Sequence, residues 1–141
     1  MKSNKFIINI AVILTTTLLL ASCGKEPSIV GKWSSEGNKM VTTKGHDAIA
    51  TFNIELKEDG TGTWGQVMTF PKYPGQQDKR GPEAFSSWEL SEDGKTLTVD
   101  KEEFQIVELT DGTFIWKKGD EYKNFNDKGE LTFKRVESFS D

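Results

Sequence analysis

The sequence predicts an all-β domain, an up-and-down antiparallel barrel of about eight strands, placed behind an N-terminal export segment. Three observations carry this. Turn signals recur at short spacing (Glu58-Asp59-Gly60, Glu92-Asp93-Gly94-Lys95, Asp111-Gly112 and Asp127-Lys128-Gly129), and Asp-Gly favours the tight connections of antiparallel hairpins. The runs between them alternate apolar and polar residues with period two, as strands with one buried face do. No amphipathic helical period is visible after the export segment. Regular strands joined by hairpin turns close into a barrel or pack as a sandwich.

Residues 1–22 follow the plan of a secretory signal. Lys2 and Lys5 form a positive start, Phe6 to Leu20 is a 15-residue apolar core, and Ala21 and Ser22 are small. That core is shorter than the roughly 20 residues needed to span a bilayer, and no positive cluster follows it, which argues against a transmembrane anchor. Leu20-Ala21-Ser22-Cys23 resembles the lipobox of bacterial lipoproteins. The resemblance implies cleavage between Ser22 and Cys23, a diacylglyceryl thioether on Cys23 and acylation of the new amino terminus. Cys23 is the only cysteine in the chain, and an unpaired cysteine in an exported protein otherwise calls for another explanation. Two or more acyl chains, at about 0.8 kcal/mol per buried CH₂, hold a protein stably to a membrane. Gly24 stands where Asp retains enteric lipoproteins in the inner membrane, which points to the outer membrane. Lys25-Glu26 loosely resembles a charged surface-export tag. The expected organisation is therefore signal peptide 1–22, lipidated Cys and tether 23–28, and barrel domain 29–141, held in the cell envelope on the periplasmic face or the cell surface.

Eight strands are expected near 29–35, 48–57, 61–70, 84–91, 96–100, 102–110, 113–118 and 130–137. In the second, Ala48, Ala50, Phe52, Ile54 and Leu56 share one face. Trp64, Met68 and Phe70 share a face in the third, and Trp88, Leu90, Leu97 and Val99 continue the pattern. Phe104 and Ile106 keep phase but Leu109 leaves it, so a bulge is expected near Val107. Phe114 and Trp116, then Leu131, Phe133 and Arg135, are the last inward sets. Residues 36–47 are expected to be irregular. Residues 71–82, with Pro71, Pro74 and Pro82, are expected to form the longest loop and to lie over the mouth of the barrel.

Composition removes several function classes. Loss of Lys2 and Lys5 takes the formal charge from −4 to −6, and no basic stripe is present, so nucleic acid is not an expected partner. A chain with one His and one Cys offers no His/Cys zinc cluster, so no metal or cofactor is expected. Asn124 to Glu130 resembles a calcium loop, but Lys128 sits where an oxygen ligand would be needed. His46 beside Asp47 lacks a nucleophile-elbow serine, and the chain is not expected to be an enzyme.

Ile29-Val30-Gly31-Lys32-Trp33 at the start of the domain and Phe133-Lys134-Arg135-Val136 near its end resemble the lipocalin signature. With Leu56 to Trp64, Ser87-Trp88-Glu89-Leu90, Leu97-Thr98-Val99 and Ile106 to Thr110, the order looks like the small lipocalin-like domain of Bacteroidetes lipoproteins, matched over about 29–137. The resemblance implies that Arg135 packs over Trp33 and that the pair, with Gly31 beneath the indole, closes one end of the barrel.

Aromatic richness is the remaining signal: four Trp, nine Phe and two Tyr. Phe52, Trp64, Met68, Trp88 and Trp116 are the candidate lining of a pocket for a small hydrophobic ligand, which needs a cavity of about 300 Å³ or more. The alternative is a filled barrel acting as a protein- or glycan-binding module of the envelope, with Tyr73 and its loop as the contact surface and another envelope protein as the partner.

Overall fold

The computed structural model describes residues 26–117 and 128–139. The signal segment, Cys23 and most of the 124–130 turn lie outside them. The described residues form nine antiparallel strands and no helix: β1 (Gly31–Val41), β2 (Asp47–Leu56), β3 (Gly62–Thr69), β4 (Gln77–Phe85), β5 (Trp88–Leu90), β6 (Thr96–Val99), β7 (Glu102–Leu109), β8 (Thr113–Lys117) and β9 (Glu130–Val136). The strand order is β4-β3-β2-β1-β9-β8-β7-β6-β5. Every consecutive pair is hydrogen-bonded except β4 with β5, and β1 joins β9 through Lys32↔Val136, Trp33↔Arg135 and Ser34↔Lys134. The result is an all-β, nearly closed barrel whose one seam lies between two strands adjacent in sequence.

The turns follow the sequence closely. Lys57 N–H bonds Thr61 O at 2.9 Å and Gly60 N–H bonds Lys57 O at 3.1 Å, a three-residue hairpin with Gly60 at φ 81°. Asp59 Oδ1 accepts from Thr61 N–H and Thr61 Oγ1–H, and Asp93 Oδ1 accepts from Lys95 N–H and Ser91 Oγ–H in the next such turn. These bonds to the charged form hold both carboxyls below their usual range. The expected bulge on β7 is present as a register shift between Ile106 and Glu108.

Three expectations are corrected. The stretch near 84–91 is not one strand: β4 ends at Phe85, and β5 begins at Trp88 after a corner. The region 36–47 is mostly ordered strand. β1 continues through a bulge between Ser35 and Asn38, where Gly37 has φ 73° and Asn38 Nδ2 donates to Ser35 O and Ala50 O. The loop 71–82 is shorter than expected, because residues from Gln77 onward are β4. Pro82 is tolerated because β4 is an edge strand and a register shift opposite Trp64 and Gln66 relieves the ladder there. Gly81, at φ 83°, makes that bulge possible: a Cβ on it would lie 2.6 Å from Trp64 O.

The core fills the barrel where β1 meets β9. Trp33, Leu56, Leu97, Phe114, Leu131 and Phe133 are fully buried. Phe114 and Phe133, partners across β8 and β9, stack at 4.6 Å, and Trp33 meets Phe114 edge-on at 4.8 Å.

Candidate functional site

One end of the barrel is plugged. Arg135 on β9 lies opposite Trp33 on β1, and its guanidinium carbon sits 4.1 Å from the indole centroid. Its three nitrogens donate to three backbone carbonyls: Nε to Asp111 O at 2.5 Å, Nη1 to Val30 O at 2.7 Å and Nη2 to Ser28 O at 2.5 Å. Trp33 Nε1 donates to Ile29 O at 2.7 Å. Gly31 has φ 141°, and a Cβ there would stand 2.3 Å from Arg135 Nη1. The strand entry, the β7–β8 turn and the last strand are thus fastened at one point.

The seam is closed by a carboxylate. Asp100 and Lys101 form a two-residue turn between β6 and β7, both with positive φ (51° and 110°), the geometry of a type I′ hairpin. Asp100 Oδ1 accepts Ser86 N–H at 2.9 Å, Ser86 Oγ–H at 2.8 Å and Ser87 N–H at 3.0 Å. Asp100 N–H donates to Ser87 O, and Trp88 N–H donates to Gly60 O. The β4–β5 corner is therefore held from both sides without a β4–β5 ladder. The Ser86 hydroxyl, then the Ser87 and Ser86 amides, lower the pKa of Asp100. A group depressed in the fold stabilises it fully above its unfolded pKa of about 3.9 and loses that contribution as pH falls through the folded value. Thermal melts at falling pH are expected to show wild-type Tm dropping more steeply below about pH 4 than that of Asp100→Asn, which has no proton to take up there.

Above the plug lies a cleft of about 310 Å³. Its walls are Phe52, Ile54 and Trp64 on one side and Phe104, Trp116 and Phe133 on the other, with Phe85 and Val99 between. Asn53, Gly65, Asp100 and Glu102 complete the rim and floor. Phe104 stacks on Trp116 at 4.3 Å and 12°, and Phe133 meets Trp116 edge-on at 4.8 Å. β4 and β5 do not pair, and Phe85 at the end of β4 and Val99 at the end of β6 both line the cleft. Among the described residues Trp116 Nε1 is buried and has no hydrogen-bond partner, whereas Trp33 and Trp88 both donate to backbone carbonyls.

Of the five residues singled out as a pocket lining, Phe52, Trp64 and Trp116 meet at this cleft. Met68 and Trp88 do not. Met68 lies further up β3, in a separate concavity with His46 and Tyr73, and Trp88 packs beside the β2–β3 turn with its Nε1 on Lys57 O at 2.9 Å. The Phe70–Gln76 connection lies at the far end of β3 and lines other surfaces, so it is not over the cleft. Phe104, Phe133, Asp100 and Glu102 are wall residues that alternation alone did not select. Phe104 and Phe133 had the inward phase, but only the approach of β7 and β9 to β2 and β3 distinguishes wall from packed core.

Among the described residues no cluster of His, Cys, Asp and Glu could hold a metal ion, and no helix is long and apolar enough to cross a membrane. The fold and site define a nearly closed antiparallel barrel, plugged at one end and carrying an aromatic cleft at its seam. No protein-family model, curated protein or solved structure matches the chain.

Proposed function

We propose that the protein is a lipid-anchored envelope lipoprotein, lipocalin-like and not an enzyme, whose barrel binds a small hydrophobic ligand in the aromatic cleft. The cleft carries this reading: about 310 Å³, lined by six aromatic rings and open at a seam that the chain holds with Asp100 rather than with paired strands. A space of that size accommodates a small ligand, and apolar walls with few polar groups suit an apolar one. The pairing of Gly31, Trp33 and Arg135 supports the lipocalin-like reading, since the same three positions carry that resemblance in the sequence.

The plug also orients the reading. Arg135 holds Ser28, and Cys23 to Ser28 reaches at most roughly 18 Å at about 3.5 Å per residue. A lipid on Cys23 therefore keeps the plugged end toward the bilayer. Phe104 and Glu102 lie several rungs up β7 from that end, so the cleft mouth is turned away from the lipid. The ligand then arrives from the aqueous side of the membrane.

Native mass spectrometry of the protein extracted from its own envelope tests the binding: a co-purifying small molecule is expected, and its absence together with a bound protein favours the interaction-module reading. That second reading draws on Tyr73, which is exposed and packs edge-on to His46 at 6.1 Å at the strand tips. Replacement of Cys23 by Ala is expected to move the protein wholly from the membrane to the soluble fraction and to abolish palmitate labelling. Membrane retention of that variant would refute the anchor.

A further inference from the structure

A second concavity lies at the end of the barrel away from the plug. β1 pairs with β9 only at Lys32, Trp33 and Ser34 but with β2 as far as Val41, so the upper part of the β1–β4 half leaves the barrel wall. Strands β1 to β4 have eight to eleven residues, whereas β5, β6 and β8 have three to five. The inner face of the long half turns polar there. Phe52, Gln66 and Arg80 share one rung and one face, and Ala50, Met68 and Asp78 share the next.

Two hydrogen-bonded turns wall this space of about 470 Å³. In the β1–β2 turn Thr42 N–H bonds His46 O at 2.9 Å, and His46 N–H bonds Thr42 Oγ1 at 3.1 Å. In the β3–β4 connection Tyr73 N–H bonds Phe70 O at 2.9 Å, and Gln76 N–H bonds Tyr73 O at 3.0 Å. Lys72 Nζ, 3.4 Å from Asp47 Oδ2, ties the turns together, as does the edge-on contact of Tyr73 with His46. The Tyr73 ring is held in this way yet 46% exposed. Gln76, Asp78 and Arg80 line the space with it, Asp78 Oδ2 lying 3.9 Å from Arg80 Nε, and Lys44 stands on the turn opposite.

This lining selects by chemistry. Most of it is polar, so a purely apolar molecule would leave those groups without partners. It sets donors beside acceptors: Arg80 only donates, Asp78 only accepts, and the Gln76 amide does both. A phosphate oxygen only accepts and would meet the Asp78 carboxylate, whereas a hydroxyl both gives and takes. The exposed aromatic face attracts polarised C–H groups. Hydroxyls along the edge and C–H groups on the face are the two surfaces of a sugar ring. The volume equals about fifteen waters, at roughly 30 Å³ each, the size of one sugar ring and part of a second.

We infer that this concavity binds a saccharide, one ring lying on Tyr73 with its hydroxyls bonded to Gln76, Asp78 and Arg80. The inference rests on the second reading above, in which Tyr73 is a contact surface, and is independent of the aromatic cleft. Gly31, Leu56 and Gly62 share a rung at the plug, and Ile49 and Thr69 share one at the opposite end of β3. At about 3.4 Å per residue that is roughly 24 Å from the plug, where a long polysaccharide has access.

A glycan microarray of plant, animal and bacterial oligosaccharides tests this. It is probed with the full chain in lauryldimethylamine oxide, a detergent that carries no sugar. Binding to at least one oligosaccharide is expected, and calorimetry with that oligosaccharide reads the variants. Tyr73→Ala is expected to weaken binding about fivefold or more, and Tyr73→Phe, which keeps the ring, to stay within about twofold. Arg80→Gln is expected to weaken it about tenfold, since a hydrogen bond to a charged group is lost. Both side chains are exposed, so the variants are expected to melt as the wild type does. Binding to no oligosaccharide overturns the inference, and so does binding that survives both Tyr73→Ala and Arg80→Gln. Binding to acidic oligosaccharides alone, lost with Lys44→Gln and kept with Tyr73→Ala, reads a charged patch and overturns it too. A protein cross-linked at Tyr73 with no saccharide bound overturns the saccharide and leaves the contact surface standing. The small molecule recovered by native extraction is expected to be the same from Tyr73→Ala as from wild type, so a failure here does not count against the cleft.

Discussion

Replacement of Gly62 by alanine is expected to destabilise the barrel by about 3 kcal/mol or more, the upper end of what overpacking costs. A Cβ at this position would lie 2.0 Å from Glu55 O and 2.3 Å from the Phe85 ring. Neither neighbour can yield cheaply. Glu55 O belongs to the β2 ladder, whose partner there is Thr63, and Phe85 is buried where β4 ends against the core. The methyl group would push β2 and β4 apart at the start of β3, the same place where the seam begins. Urea unfolding of Gly62→Ala against wild type measures the loss, and a change below about 1 kcal/mol would show that Phe85 can swing aside. The contrast with Gly60, two residues earlier, is informative. Gly60 is needed for its φ of 81°, since a Cβ there would make only an ordinary contact with Trp88 O at 3.8 Å, whereas Gly62 is needed for close approach.

Trp33→Ala is expected to cost about 4 kcal/mol, within the range for removing a large buried aromatic. Trp33 is fully buried, meets Phe114 edge-on and supports the guanidinium of Arg135. Its removal opens a cavity in the core and also unroofs the arginine that holds Ser28, Val30 and Asp111. Arg135→Ala should cost less, about 2 kcal/mol, because the guanidinium is exposed and water can replace part of what it gives to the three carbonyls. Arg135→Lys keeps the charge but not the planar fork, and should recover only part of that loss. A double-mutant cycle by urea unfolding checks the pair. Additive losses would mean that the stack contributes nothing beyond its separate packing.

Much of the architecture was legible because it rests on local chemistry. Gly60 and Gly94 sit where Asp-Gly turns place them, at φ 81° and 68°. The face Ala48-Ala50-Phe52-Ile54-Leu56 follows from a side-chain period of two, and the bulge on β7 showed itself as the broken phase of Leu109. Gly31, Trp33 and Arg135 were readable as a set only through their resemblance to the lipocalin signature. The errors have a common cause. Pro82 and its flanking glycine read as loop, since proline cannot join a ladder on both sides, but an edge strand asks for only one. Residues 84–91 read as one strand because alternation ran through Ser86 and Ser87, and the corner there depends on Asp100, distant in sequence.

The candidate site divides in the same way. The aromatic side chains at inward phase were visible one strand at a time. Which of them face empty space and which face one another was not. Trp64 and Trp88 had equal standing in the sequence, yet one walls the cleft and the other covers a turn.

The sequence by itself determined the all-β class, most of the hairpins and the inward faces, because these depend on neighbours within a few residues. The tertiary structure alone decided that β4 and β5 stay unpaired, that Asp100 bridges the gap, and that Phe104, Trp116 and Phe133 face Phe52 and Trp64 across a cleft. Those outcomes depend on how far the twisted sheet closes on itself, a sum over all nine strands that no single stretch of chain encodes.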